Sequence, residues 1–515
     1  MPVGRRSAFH RPAFHHPRFG GPLFQETHCM AQPPANPPTS SLLRRKRIEI
    51  PADAQGLRRV LGPGSLIALG IGCTIGAGLF SLTGIAASEN AGPAVVLSYI
   101  VAAIACGFAG LCYSELASMI PIAGSAYTYA YMALGEVVAW IIGWDLVLEY
   151  AVGAAAVSVS WSRYVTSLLG GWGISLSPRL VASPFEAVVL PDGSHVAGIM
   201  NLPAAFIICV VSLLLIRGVS ESARVNSAIV VVKLAIIVAV IAFGLPYIKT
   251  ANYVPFIPAN TGTFGHFGLS GIMRAAGTIF FAYVGFDAVS TAAQEARNPA
   301  RDMPIGILGS LLICTVAYVA FSLVLTGLVN YKDMLGDAAP VATAIDQTPF
   351  GWLKLAVKFG IICGFTSVLL VLLLGQSRVF YAMARDGLLP GLFSSIHPRW
   401  RTPWYSNLLF MVITGGLAAF LPIDQLAHMT SIGTLLAFVI VCIGVMFLRR
   451  SAPDMERRFR VPGGPVIPVL GIVCCLAVML SLDRLTWVRL VVWLIVGMAI
   501  YFGYSRRSSH LARGA

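Results

Sequence analysis

Charge is what this sequence has least of. Of its 515 residues only 11% are Asp, Glu, Lys or Arg, while 57% are hydrophobic; a soluble domain carries about 25% charged residues. That shortage excludes an ordinary water-soluble core. Alternating apolar and polar segments of about 10 residues are also missing, which excludes a membrane β-barrel. No CxxC spacing occurs, and Cys73, Cys106, Cys112, Cys209, Cys314, Cys363, Cys442, Cys474 and Cys475 all fall in apolar runs, so neither a zinc site nor a disulfide framework is expected. There is no GxxxxGK[ST] phosphate loop, so no nucleotide drives the protein directly. The histidines His28, His195, His266, His397 and His428 never share a face at ligand spacing. An enzyme, a metal and a cofactor are therefore not expected.

Long apolar runs are present instead. Runs of roughly 20 residues recur from Leu61 to Tyr504. In hydrocarbon each backbone donor must be satisfied within its own segment, so these runs read as spanning helices despite their Val and Ile content. The expected fold class is an all-α integral membrane protein with twelve transmembrane helices. The spans lie near Pro63–Ala87, Pro93–Met119, Gly135–Leu169, Leu202–Arg217, Ala223–Gly244, Phe267–Ala296, Pro304–Val329, Trp352–Tyr381, Tyr405–Leu421, Leu426–Arg449, Pro465–Leu482 and Thr486–Tyr504. Residues 1–60 read as a basic, disordered tail, and 505–515 as a short one. The net charge of +14 follows from topology rather than nucleic-acid binding. With both ends in the cytoplasm most Lys and Arg fall on the cytoplasmic side, most densely at Arg449, Arg450, Arg457, Arg458 and Arg460.

Two spans are irregular in the same way. The first holds Gly70, Gly72, Gly76 and Gly78 within nine residues, and the sixth holds Phe280-Phe281-Ala282-Tyr283-Val284-Gly285-Phe286-Asp287. Each glycine weakens a helix by about 1 kcal/mol relative to Ala. Breaks standing five spans apart point to a five-plus-five inverted repeat, residues 61–244 and 266–449, with 465–504 as two further helices. Beyond the first break the amides of Gly76, Ala77 and Gly78 lack helical partners and sit at a positive helix end, which suits a carboxylate. The carbonyls of Thr74, Phe281, Ala282 and Val284 are expected to be free, which suits an ammonium group. Together they match a zwitterion without a charged side chain.

Lys233 stands halfway along the fifth span. An ionisable group there costs roughly 2.5–3.5 kcal/mol on insertion scales, which marks it as functional, either in carrying a proton or in tying helices through carbonyls. Glu149 in the third span and Asp287 in the sixth are further buried acids, each a candidate for receiving a cationic group or for a structural hydrogen bond. Glu115, Glu295, Arg297 and Arg301 fall at inner helix ends and read as interfacial or gate-stabilising charges.

Gly72-Cys73-Thr74-Ile75-Gly76-Ala77-Gly78-Leu79-Phe80 resembles the first-helix signature of the amino acid–polyamine–organocation superfamily. Gly143 through Tyr150, Glu221 through Asn226, Phe280 through Ser290 and Met383 through Pro390 are similar to its bacterial cationic amino acid transporter branch. The likeness runs from about Leu61 to Tyr504. It implies a LeuT-type fold and a secondary amino acid permease of the bacterial inner membrane, working by proton symport or amine exchange; a pore lined by polar rings is not seen. It places the substrate at Thr74, Ala77, Gly78, Phe281, Ala282 and Val284, with Phe281 as an aromatic gate. It also implies that Lys233 stands where other members hold sodium, faced by Thr366 and Ser367. Cys73 departs from the pattern at the break and leaves the side-chain preference open. The implied partners are an amino acid, protons and the bilayer; the oligomeric state is left open.

Overall fold

The computed structural model describes residues 44–45, 60–120, 125–189, 195–218, 223–337 and 339–513. The expected tail before Leu61 therefore lies almost wholly outside the described residues. The described residues are helical nearly throughout. Helix α1 (Pro63–Thr74) is followed by a half-helix over residues 78–91, then α2 (Val95–Met119) and the short α3 (Ser125–Ala133). A continuous helical segment, α4 (Glu136–Gly171), leads to α5 (Leu202–Ile216) and α6 (Ala223–Gly244). After α7 (Gly268–Ile279) come two 3-10 segments, Phe280–Tyr283 and Asp287–Glu295. The remaining helices are α8 (Pro299–Leu328), α9 (Gly351–Arg385), α10 (Trp404–Phe420), α11 (Ile423–Ser451), α12 (Val466–Ser481) and α13 (Arg484–Ile500). Among the described residues eight helical segments are long and apolar enough to cross a membrane; α1, α5, α10 and α12 are shorter apolar helices.

Local chemistry sets several helix starts. Proline occupies the first turn of α1, α5 and α8, where its missing N–H costs nothing. Asn201 caps α5 by accepting from the Ala204 amide, and Asp483 caps α13 by accepting from the Thr486 amide at 3.0 Å. His428 beside Asp483 holds that carboxyl well below the usual carboxylate range. One feature was not expected: between α4 and α5 an antiparallel hairpin pairs Ala187–Val189 with His195–Ala197. Arg163 of α4 holds its approach through Glu186 at 2.6 Å.

Two buried layers position the site. Helix α8 packs along α1 and α2, and α9 packs along α4 and α6. At one end of α2, Glu115 accepts two bonds from Arg449 and one from the Val461 amide at 2.7 Å. That carboxylate joins α2 to the chain linking α11 and α12, as its place at a helix end suggests.

Candidate functional site

Both breaks are present. Helix α1 stops at Thr74, whose hydroxyl turns back onto the Gly70 carbonyl at 2.7 Å. Ile75 is extended (φ −73°, ψ 108°), and the helix resumes at Gly78. Among the described residues no backbone carbonyl reaches the amides of Gly76, Ala77 and Gly78. In the second break Val284 is extended and Gly285 takes φ +108°, the left-handed region that glycine tolerates. The breaks touch: a Cβ on Gly78 would stand 2.2 Å from the Ala282 Cα, and one on Gly285 would meet the Cys73 backbone at 3.1 Å.

A small cavity opens where they cross. Its wall is Cys73, Thr74, Gly76, Ala77, Gly78, Val157, Phe281, Val284, Val368 and Leu372. Six of the residues expected at the site line it: Thr74, Gly76, Ala77, Gly78, Phe281 and Val284. Phe281 is almost wholly buried and its ring reaches Gly153 of α4. Ala282 packs under Gly78 instead of lining the cavity. The side chains of Val157 from α4 and of Val368 and Leu372 from α9 close the wall; nothing in the sequence separates them from other aliphatic residues.

The acceptor side differs from expectation. The Phe281 carbonyl accepts from the Val284 amide at 3.2 Å. The Tyr318 hydroxyl, from α8, lies 3.1 Å from the Thr74 carbonyl and 2.9 Å from that of Ala282. The phenol has one proton to give, shared between these two or held by one of them, so with Phe281 the carbonyls expected to be free are at least partly engaged. A kinked backbone still seeks partners for its polar groups, and one phenol stands within hydrogen-bond reach of both breaks. Tyr318 itself sits in an aromatic cluster with Tyr99 and Tyr283, ring centroids 5.4 Å away in each case.

Lys233 is buried, and its Nζ donates to the Gly72 carbonyl at 2.8 Å, two residues before the end of α1. Its stem lies against Gly364 of α9, where an added Cβ would meet Cε at 3.0 Å. Ser367 lies about one turn further along and is fully buried. Thr366 does not join them: its hydroxyl accepts from the Trp161 indole at 3.2 Å and donates to the Ile362 carbonyl, because it faces the opposite side of α9.

Glu149 does not line the cavity. It adjoins Asp287, with Asp145, Tyr113 and Thr434 alongside. Both acids are buried, and no hydrogen bond of ordinary geometry reaches their four carboxyl oxygens among the described residues. The third span and the second break thus share an acidic pair that is separate from the cavity wall. No group of three metal-ligating side chains occurs among the described residues.

The family model described as amino acid permease matches residues 61–501. The methylthioribose transporter of Bacillus subtilis (strain 168) is 43% identical over 476 residues, covering 92% of this chain and 99% of its own. The branched-chain amino acid permease BcaP of the same organism is 43% identical over 475 residues, with the same coverage. The vacuolar cationic amino acid transporter 4 of Arabidopsis thaliana is 38% identical over 429 residues, 81% of this chain and 68% of its own.

Proposed function

The chain belongs to the amino acid permease family of the amino acid–polyamine–organocation superfamily, as a multi-pass membrane protein, and from that premise we propose that it imports a neutral, aliphatic α-amino acid by proton-coupled alternating access. The cavity carries the reading. Unpartnered amides of Gly76, Ala77 and Gly78 face one side of it, where they would take a carboxylate at the positive end of a half-helix. The wall that would meet the substrate side chain is Val157, Val368 and Leu372, with no charged group. A cationic side chain would be left unpaired there, at high cost. The aliphatic wall fits the substrates named for the branched-chain permease. Phe281 serves as the gate over the occupant.

Lys233 couples transport to protons on this reading, by holding or releasing the end of α1 through Gly72. The arrangement proposed is the five-plus-five inverted repeat, 61–244 and 266–449, with both chain ends in the cytoplasm of a bacterial cell. The spacing of the two breaks and the arginines after α11 support it. A second reading has an observation behind it. The one Tyr318 proton already serves the Thr74 and Ala282 carbonyls between them, so a ligand without an ammonium group, such as the methylthioribose named for one relative, has less to displace.

Uptake into proteoliposomes, with and without an inward proton gradient, tests the proposal. Labelled leucine should accumulate only with the gradient and should be displaced by valine but not by lysine or methylthioribose. Lys233→Ala should abolish accumulation while leaving leucine counterflow measurable. Displacement by lysine overturns the aliphatic site, displacement by methylthioribose alone favours the second reading, and gradient-independent exchange removes the proton.

A further inference from the structure

The segment following α13 does not trail into solvent. Tyr501, Ser505 and Ser509 recur every fourth residue, line one face of the segment, with Ser509 as the cap just past its helix, and are each about 1% exposed or less. Glu136, the first residue of α4, receives that face. Its carboxyl accepts from the Tyr501 hydroxyl at 3.0 Å, from the Ser509 hydroxyl at 2.5 Å, and from the Tyr131 hydroxyl of α3 at 3.2 Å. Its amide donates to the Arg44 carbonyl at 2.9 Å.

The same segment also grips the end of α9. The Ser505 hydroxyl donates to the Leu388 carbonyl at 2.6 Å, and the His510 amide to the Asp386 carbonyl at 3.2 Å. Asp386 is fixed in turn by the Tyr127 hydroxyl of α3 at 2.8 Å. Gly387 lies directly beneath: a Cβ there would stand 2.6 Å from the Ser508 carbonyl. Arg506 and Arg507 face outward.

The two helices joined in this way are the ones whose side chains wall the cavity. Val157 belongs to the segment that starts at Glu136, and Val368 and Leu372 belong to the helix that ends at Arg385. We propose that residues 501–513 form a latch that holds this face of the cavity shut, and that it must release the Asp386–Leu388 turn before the face can open. The latch rests on the alternating-access reading given above. Its hold lies in hydroxyl-to-carboxyl and hydroxyl-to-carbonyl bonds, which form and break without rearranging the apolar core.

Cys73 reports on it, since the cavity wall includes this thiol and the structure buries it. A membrane-impermeant maleimide is applied to cells and, separately, to inverted membrane vesicles. Labelling is measured for the wild type, for a chain lacking residues 506–515 and for Ser509→Ala. Each is paired with its Cys73→Ser counterpart to subtract the other cysteines. Both latch variants should label Cys73 about tenfold faster from the face that carries Ser509, the shift expected when the closed state loses a hydrogen bond to a carboxyl group. Labelling from the opposite face should not quicken. Wild-type rates in both variants overturn the latch; if the shortened chain does not reach the membrane, Ser509→Ala decides alone. Leucine counterflow in the same vesicles separates the two ideas: its absence from the wild type removes the aliphatic amino acid reading, whereas the labelling rates bear on the latch whatever that outcome.

Discussion

The two helix breaks each include glycine but leave opposite things open. The first keeps its donors: three successive amides, 76 to 78, have no backbone partner among the described residues. The second has most of its acceptors in use, Phe281 within its own turn and Ala282 on Tyr318. On the proposed reading, an anionic group would meet open donors at the first break, whereas a cationic group would have to compete with a phenol at the second. The difference comes from backbone geometry. A chain entering a new helix leaves its first amides open, while a 3-10 turn ending in an extended residue folds a carbonyl back on itself.

The largest effect should come from closing the contact between the breaks. Gly78→Ala would drive a Cβ into the Ala282 backbone at 2.2 Å, whereas Gly76→Ala meets only a Val368 methyl at 3.4 Å. Leucine uptake should vanish in the first and persist in the second; equal uptake would show that the breaks separate during the cycle more than this contact permits. Tyr318→Phe probes the occupied side. It removes the one proton that the Thr74 and Ala282 carbonyls share, and the ligand-free protein should lose about 1–3 kcal/mol. Leucine should then raise the melting temperature by more than it does in the wild type, because the ammonium replaces the phenol. An unchanged ligand shift would mean that the substrate nitrogen binds elsewhere. The smallest effect belongs to Glu149→Gln. Since Glu149 faces Asp287 and not the cavity, leucine and any weakly carried cationic substrate should change by the same factor. A selective loss of lysine transport would place Glu149 in the substrate's path after all.

The breaks and Lys233 were legible in the sequence because each violates its surroundings: four glycines in a span, and an amine within a run of valines. Glycine loses helical order wherever it stands, and a charge in hydrocarbon needs a reason. The cavity wall was not legible. Val157, Val368 and Leu372 resemble any lipid-facing aliphatic residue until α4 and α9 are packed. Tyr318 likewise looks like one more aromatic in an apolar helix, and so the donor beside the Thr74 and Ala282 carbonyls could not be read. Thr366 and Ser367 are neighbours in sequence, yet a helix turns adjacent residues about 100° apart, and only the packing shows which way each points. Ser505 and Ser509 read as tail because their partners, Leu388 and Glu136, lie far away along the chain.

The indoles between α4 and α13 have a mechanical consequence. Trp144 and Trp493 stack at 4.5 Å, and each donates its N–H to the other's backbone carbonyl, at 2.9 and 3.2 Å. Trp140 does the same to Gly497 at 2.9 Å. Helix α13 buries little else, only Thr486, Leu490 and Gly497 along its length. A smooth aliphatic seam would let such a helix roll about its own axis at small cost. Three rings hydrogen-bonded to backbone act as a key in a slot: they fix the azimuth of α13, and with it the direction in which Tyr501, Ser505 and Ser509 must face.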